Sequence, residues 1–212
     1  MGTNPNPPLM SPEFLRRAER TASSRDPDRA TAQTVAIMCR LIRDSVLDPL
    51  VWQAAAAAVN RAASAQLEPL IDEGMIATAC YWFTKTQLRF VHHSKLIEAW
   101  FRERDQLQLL IEPAVLLRMP AAHWEMVGDC AIYSMLICAM LSAYQVPWLL
   151  VTLACDPRAP WLFTHVFPRA LMADGSSLTL DASHGRYPGW QVPADHTFRS
   201  QEWDENGEPI NV

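Results

Sequence analysis

Apolar positions recur at helical spacing through the first half of the chain and change to runs and alternations typical of strands in the last third. From Thr31, the residues Val35, Met38, Cys39, Ile42 and Val46 fall on one face at 3.6-residue spacing and predict an amphipathic helix. Asp48-Pro49 closes that pattern and opens the next helix, with Asp48 as its N-cap and Pro49 at its first position. The alanine run from Ala54 to Ala58 combines high helix propensity with little bulk, which predicts close packing on a neighbour. A third helix is expected from about Glu73 to Gln87, with Ile76, Cys80 and Phe83 at core spacing, followed by a short strand from Leu88 to Val91. Lys95 to Val127 mixes charge with apolar pairs and contains Pro113 and Pro120, so it reads as short helices and loops. Cys130 to Tyr144 places Ile132, Met135, Leu136, Ala139, Met140 and Ala143 on one face, an amphipathic helix that follows Gly128-Asp129 and ends before Pro147. Three strands are then expected, Trp148 to Ala154, Phe163 to Leu171 and Ser176 to Asp181, the last two joined by a turn around Asp174-Gly175. Residues 1 to about 30, rich in proline and arginine, read as an arm without packed elements, and the stretch from about His184 reads as an irregular polar tail.

Composition narrows the class. With 212 residues, 50% apolar and 19% charged, the chain suits one globular domain with small appendages. A net charge of -5 argues against nucleic acid or acidic lipid as a partner. The five cysteines are odd in number and include no CxxC pair, which argues against a disulfide framework or a zinc knuckle and for a reduced compartment. The N-terminal segment has no apolar core of the kind a signal peptide needs, so a cytoplasmic product is expected. Ala131 to Cys155 carries no charge and is long enough for a transmembrane helix. Ser134, Ser142, Gln145, Pro147 and Thr152 break it into a helix and a strand, and no membrane span is expected.

The candidate chemistry lies in one cysteine, one histidine and one aspartate. Cys130 opens a helix, where unpaired N–H groups and the helix dipole favour a thiolate. His165 sits in a strand and Asp181 closes the next one. A hairpin loop centred near Ala173 would set these two side by side, whereas a tight two-residue turn at Asp174-Gly175 would offset them, so a wider loop or a bulge is required. Cysteine, histidine and acid together suit thiol acyl transfer: a thiolate attacks a carbonyl, imidazole moves the proton and a carboxylate fixes the imidazole tautomer. The other polar residues read more plainly. His92-His93 are surface or structural histidines, Asp129 caps the helix, His184 and Trp190 anchor the tail in preference to lining the cleft, and Cys138 is buried. No metal or other cofactor is expected.

Gly128-Asp129-Cys130, the helix after it, Val146-Pro147, Thr164-His165-Val166-Phe167 and Leu178-Thr179-Leu180-Asp181 resemble the core of the transglutaminase-like cysteine protease superfamily. The resemblance covers about residues 70 to 190. More narrowly, the helices from Thr31, Leu88-Arg89-Phe90-Val91-His92 and Asp181-Ala182-Ser183-His184-Gly185 through Pro188-Gly189-Trp190 resemble transglutaminase-like proteins of bacteriophages and prophages. Where many relatives carry two acidic residues after the cysteine, this chain has Ala131-Ile132. The resemblance implies an α+β fold with a papain-like core, the nucleophile helix packed on a small antiparallel sheet. The expected organisation is an arm at 1–30, a helical preface at 31–69, the core at 70–195 and a polar tail at 196–212. It further implies Cys130 as nucleophile, His165 as base and Asp181 as orienting acid in a cysteine protease or amidase acting on a peptide or isopeptide bond. Water or an amine could resolve the acyl-enzyme. Peptide or protein substrates, other phage proteins as partners and a cytoplasmic or virion-associated location follow from the same likeness. The alternative is a phage structural or assembly protein that keeps the fold without catalysis. One oxyanion donor is the Cys130 N–H, and the second is expected upstream, around Phe90 to His93 or at Trp124.

Overall fold

The computed structural model describes residues 18–21, 26–65, 71–92, 95, 108–120 and 125–210. It is an α+β fold. Two long helices lead, α1 (Pro27–Val46) and α2 (Pro49–Ser64), each with proline in its first turn and an aspartate before it. Asp26 accepts from the Asp28 and Arg29 N–H groups, and Asp48 from the Leu50 N–H, so both caps satisfy donors that a helix leaves unpaired. α1 therefore begins four residues before Thr31, on the same Asp-Pro signal that starts α2. Helix α3 (Glu73–Gln87) has the expected bounds and is capped by Asp72.

A strand β1 (Ala18–Thr21) pairs antiparallel with β3 (Gln108–Ile111), so the first thirty residues are not wholly an arm. Between them β2 (Arg89–Phe90) runs parallel to β4 (Val127–Gly128), and the short helix α4 (Pro113–Leu116) follows β3.

Helix α5 (Cys130–Ala143) is the centre of the molecule. It packs against α1, α2 and α3 on one side and against the sheet on the other, and twelve of its fourteen residues are buried. The expected amphipathic helix is thus apolar all round, as a helix enclosed by other elements must be. Cys138 is buried, as are Cys39 and Cys80. The charge-free run after Cys130 divides into α5 and β5 (Trp148–Ala154), with Gln145 at φ 58 in the turn between them. Among the described residues no helix is long and apolar enough to cross a membrane.

The main sheet has the order β7-β6-β5-β8-β9 and is antiparallel throughout, with β6 at His165–Leu171 and β7 at Ser177–Thr179. Its last two strands, β8 (Arg199–Trp203) and β9 (Pro209–Ile210), lie in the expected irregular tail. β8 is an integral strand: Trp203 is buried and its indole N–H donates to Thr152 Oγ1 at 2.9 Å. Gly207, at φ +82, brings the β8–β9 turn against helix α1, where a Cβ would stand 2.9 Å from Ala36 Cα.

Candidate active site

Cys130 is placed by the three residues at the start of α5. Gly128 belongs to β4, and a Cβ there would meet Ile132 Cγ2 at 2.6 Å, so only glycine lets the strand pass this close to the helix. The buried Asp129 carboxylate accepts from the Ala131 and Ile132 N–H groups at 3.1 and 3.2 Å, which confirms it as the cap. Burial raises this carboxyl to about 6 against the pull of those backbone bonds. Cys130 itself is half-buried.

His165 and Asp181 are brought together by the hairpin of β6 and β7. Met172 N–H donates to Ser176 O at 2.9 Å and Gly175 N–H to Met172 O at 3.0 Å, with Gly175 at φ 83. This is a three-residue loop with a left-handed glycine, a bulged turn wider than a tight two-residue one. Its register pairs Arg169 with Thr179 and Leu171 with Ser177, so the hairpin centres on Asp174 and not on Ala173. Extended along that register, His165 faces position 183 and Asp181 lies diagonally, two residues nearer the turn and on the same face. Diagonal neighbours are within reach of a histidine side chain. His165 Nε2 stands 2.7 Å from Asp181 Oδ2, with the two side chains 8% and 1% exposed.

After Leu180 the chain leaves the sheet and curls. Ala182 N–H donates to Leu180 O and Gly185 N–H to Asp181 O, at 2.9 and 2.8 Å. A Cβ on Gly185 would fall 2.4 Å from Asp181 O, so the curl needs glycine. Helix α3 holds it from below: Tyr81 Oη donates to Gly185 O at 2.8 Å, and Lys85 Nζ to Ala182 O and Gly185 O at 3.1 and 2.6 Å. Neither anchor is announced by the sequence around it. Both are separated from their acceptors by about a hundred residues, beyond any local signal.

Because β7 leaves early, the edge of β6 at Val166 lacks a strand partner, and the nucleophile helix takes its place. Ser134 Oγ reaches Val166 O at 3.1 Å and Cys130 O at 2.7 Å, and the Val166 N–H is near enough to the Cys130 sulfur to favour its thiolate. Cys130 is thereby held against the residue next to His165. Burial, then the Asp129 carboxylate, push its thiol up, while the Val166 and Ala131 N–H groups and their opposing pull do not prevail. The expected depressed thiol is overturned: desolvation outweighs the helix terminus. Asp181 is affected in the opposite direction. Burial raises it, but the His165 bond and charge, the His184 N–H and the Ser183 hydroxyl together leave its carboxyl below the usual value. Asp181 is thus an acceptor only, which assigns the bridging proton to His165 Nε2 and leaves Nδ1 of the neutral ring with its lone pair.

His184, expected to anchor the tail in preference to lining the cleft, lies beside His165 and Asp181. Its ring meets His165 edge-on at 4.7 Å and Phe90 at 5.1 Å. Among the described residues, His165, Asp181 and His184 form a group whose ligand atoms lie within 4.8 Å of one another. To bind a cation there, Asp181 would have to release His165 and Ser183, its two side-chain partners. Of the expected upstream oxyanion donors, the Val91 N–H is bonded to Gly128 O, while His93 and Trp124 lie outside the described residues.

No protein-family model and no curated protein matches the chain. Among solved structures, the fold is similar to a "putative protease" from Parabacteroides distasonis, with 12% identity and a TM-score of 0.50 over 86% of this chain and 31% of that one. The chain spans less than a third of that protein's length, and at this identity the likeness is one of fold alone. A second match, a Rad4-Rad23 complex bound to a 6-4 photoproduct UV lesion, has 10% identity and a TM-score of 0.33 over 82% of this chain and 42% of that one, too low for an argument from structure.

Proposed function

We propose that the chain is a thiol-dependent acyl-transfer enzyme of the transglutaminase-like type, a protease or amidase with Cys130 as nucleophile, His165 as base and Asp181 as orienting acid. The observation that carries this reading is the 2.7 Å contact between His165 Nε2 and Asp181 Oδ2, in side chains almost wholly buried, one residue away from the Val166 N–H that favours the Cys130 thiolate. The fold similarity to a protein described as a protease is consistent with it.

Since the thiol rests protonated, proton transfer accompanies attack. His165 Nδ1 takes the thiol proton as sulfur bonds to the substrate carbonyl, and Asp181 stabilises the imidazolium that forms. The cap engages the Ala131 and Ile132 N–H groups and not that of Cys130, which in this reading donates to the developing oxyanion. His165 then returns the proton to the leaving group, and water or an amine cleaves the thioester by the reverse path. The phage or prophage setting belongs to this proposal through the resemblance of the motifs. A thiol pushed up by desolvation also fits the second reading, a phage structural protein without catalysis.

Acetylation by p-nitrophenyl acetate followed by peptide mapping separates them. The enzyme reading expects a thioester on Cys130 that is lost in His165→Ala. Acetylation distributed among the cysteines according to exposure, unchanged by His165→Ala, would sink it.

A further inference from the structure

The Asp181 carboxylate serves two imidazoles. One oxygen, Oδ2, takes the His165 ring N–H. The other, Oδ1, accepts from the Ser183 hydroxyl at 2.8 Å and from the His184 backbone N–H at 3.0 Å. A serine has one hydroxyl proton, and here it goes to Asp181. The 2.9 Å contact between Ser183 Oγ and His184 Nδ1 must therefore run from the ring N–H to the serine oxygen. Neutral His184 is accordingly protonated on Nδ1 and bare on Nε2.

We propose that Ser183 and His184 are positioning residues, a second arm on Asp181 that fixes its rotamer and walls the His165–Asp181 hydrogen bond off from water. A carboxylate bonded through one oxygen alone can rotate and offer either oxygen to His165. Two donors on Oδ1 remove that freedom. The wall is the ring itself, wedged edge-on between His165 at 4.7 Å and Phe90 at 5.1 Å, and it faces solvent while Asp181 does not. The groups around His184 keep it in this role. Burial lowers its pKa, the charges of His165 and Lys85 lower it further, and Asp181 opposes them. His184 thus remains neutral, and an Nδ1–H donor, when His165 carries the catalytic proton. The positions of the residues follow from the chain: Ser183 and His184 stand two and three residues after Asp181, the spacing at which an aspartate bonds its own local turn.

The catalytic consequence rests on the acyl-transfer reading, but the arm itself can be tested without turnover. The probe is the ring Nε2–H proton of His165, observed by proton NMR on the full chain at neutral pH and assigned by its absence in His165→Gln. A sharp resonance is expected in the wild type. His184→Phe keeps the wall and should keep the resonance, whereas His184→Ala should lose it to water exchange while the cooperative melt persists. Ser183→Ala, which leaves Oδ1 with only the His184 backbone N–H of those two donors, should broaden it. A resonance equally sharp in all three variants, or equally lost in His184→Phe and His184→Ala, would show that the arm only anchors the loop and overturn the proposal. So would its absence from the wild type. Acetylation of Cys130 by p-nitrophenyl acetate, measured on the same samples, reports separately on the acyl-transfer reading.

Discussion

The two halves of strand β6 are built differently. From Arg169 to Leu171 the strand is paired on both sides, with β5 along one edge and β7 along the other, and its side chains follow ordinary alternation. From His165 to Phe167 it keeps β5 but loses β7, and the vacant edge is met by the nucleophile helix, with Ser134 on the Val166 carbonyl and the Cys130 sulfur near the Val166 N–H. The paired half is held by a backbone ladder that many sequences could form. The open half depends on a few named groups, and those groups are the candidate machinery. Reactive residues can gather here because a strand edge without its neighbour presents backbone groups that a helix terminus and a curled loop are able to engage.

Asp181→Asn breaks the open half most severely. An amide cannot stabilise the His165 imidazolium, and it presents an NH₂ group to one of the donors now bonded to the carboxylate. Acetylation of Cys130 should slow by about 10² to 10⁴-fold, measured as p-nitrophenolate release. An unchanged rate would remove Asp181 from the machinery.

Asp129→Asn tests the cap beside the nucleophile. The folded-state value of about 6 lies above the ordinary 3.8, so the folded chain binds this proton more tightly than the unfolded chain. That contribution to stability is fully present below about pH 3.8 and is lost as pH rises through about 6. Asparagine still caps the helix but carries no charge. In urea melts, the variant should therefore gain on the wild type between pH 4 and pH 8, by at most about 3 kcal/mol. Removing the Asp129 charge also removes one cause of the raised Cys130 thiol, so iodoacetamide should modify Cys130 faster at a given pH. A gap independent of pH would place the Asp129 proton elsewhere.

The difference between the halves also marks what could be read from the chain. Helix α3 and strand β5 have the bounds that periodicity predicts, because their patterns are local and uninterrupted. Gly128-Asp129-Cys130 announces its helix through a cap, and the hairpin brings His165 to Asp181 through a loop that Asp174-Gly175 foreshadows. Strand β8 was hidden because Arg199-Ser200-Gln201-Glu202 is polar and follows a proline-rich stretch; its place in the sheet comes from pairing with β5 some fifty residues earlier. The raised Cys130 thiol is not legible in the sequence for a related reason. A helix terminus is visible in sequence, whereas the burial that outweighs it exists only after α5 is enclosed. Ser134 and Ser183 are ordinary in sequence and become specific only where β7 leaves the sheet.

Ser134→Ala removes the side chain that completes the edge of β6. The Val166 carbonyl would lose that partner in a buried position, at a cost of about 1–3 kcal/mol, read as a fall in the urea midpoint. The same substitution loosens the seat of the sulfur. If stability and the rate of Cys130 acetylation are both unaffected, the helix does not stand in for the missing strand.

The paired half should be the more tolerant, and its ion pair is the means of checking. Arg169 reaches diagonally across β5 to Glu202 on β8, and the two side chains are 25% and 24% exposed, within reach of water and salt. Strand pairing beneath them is continuous, with Arg169 opposite both Leu149 and Thr179, so neither side chain is needed to hold the backbone. A double-mutant cycle with Arg169→Ala and Glu202→Ala should give a coupling of no more than about 1 kcal/mol, decreasing as salt is added. The acetylation rate of Cys130 should not change in any of the three variants, since Arg169 lies four positions along the strand from His165. A coupling as large as the loss in Ser134→Ala, or a slowed acetylation, would mean that the two halves of β6 are not energetically distinct and that the site draws on the whole strand.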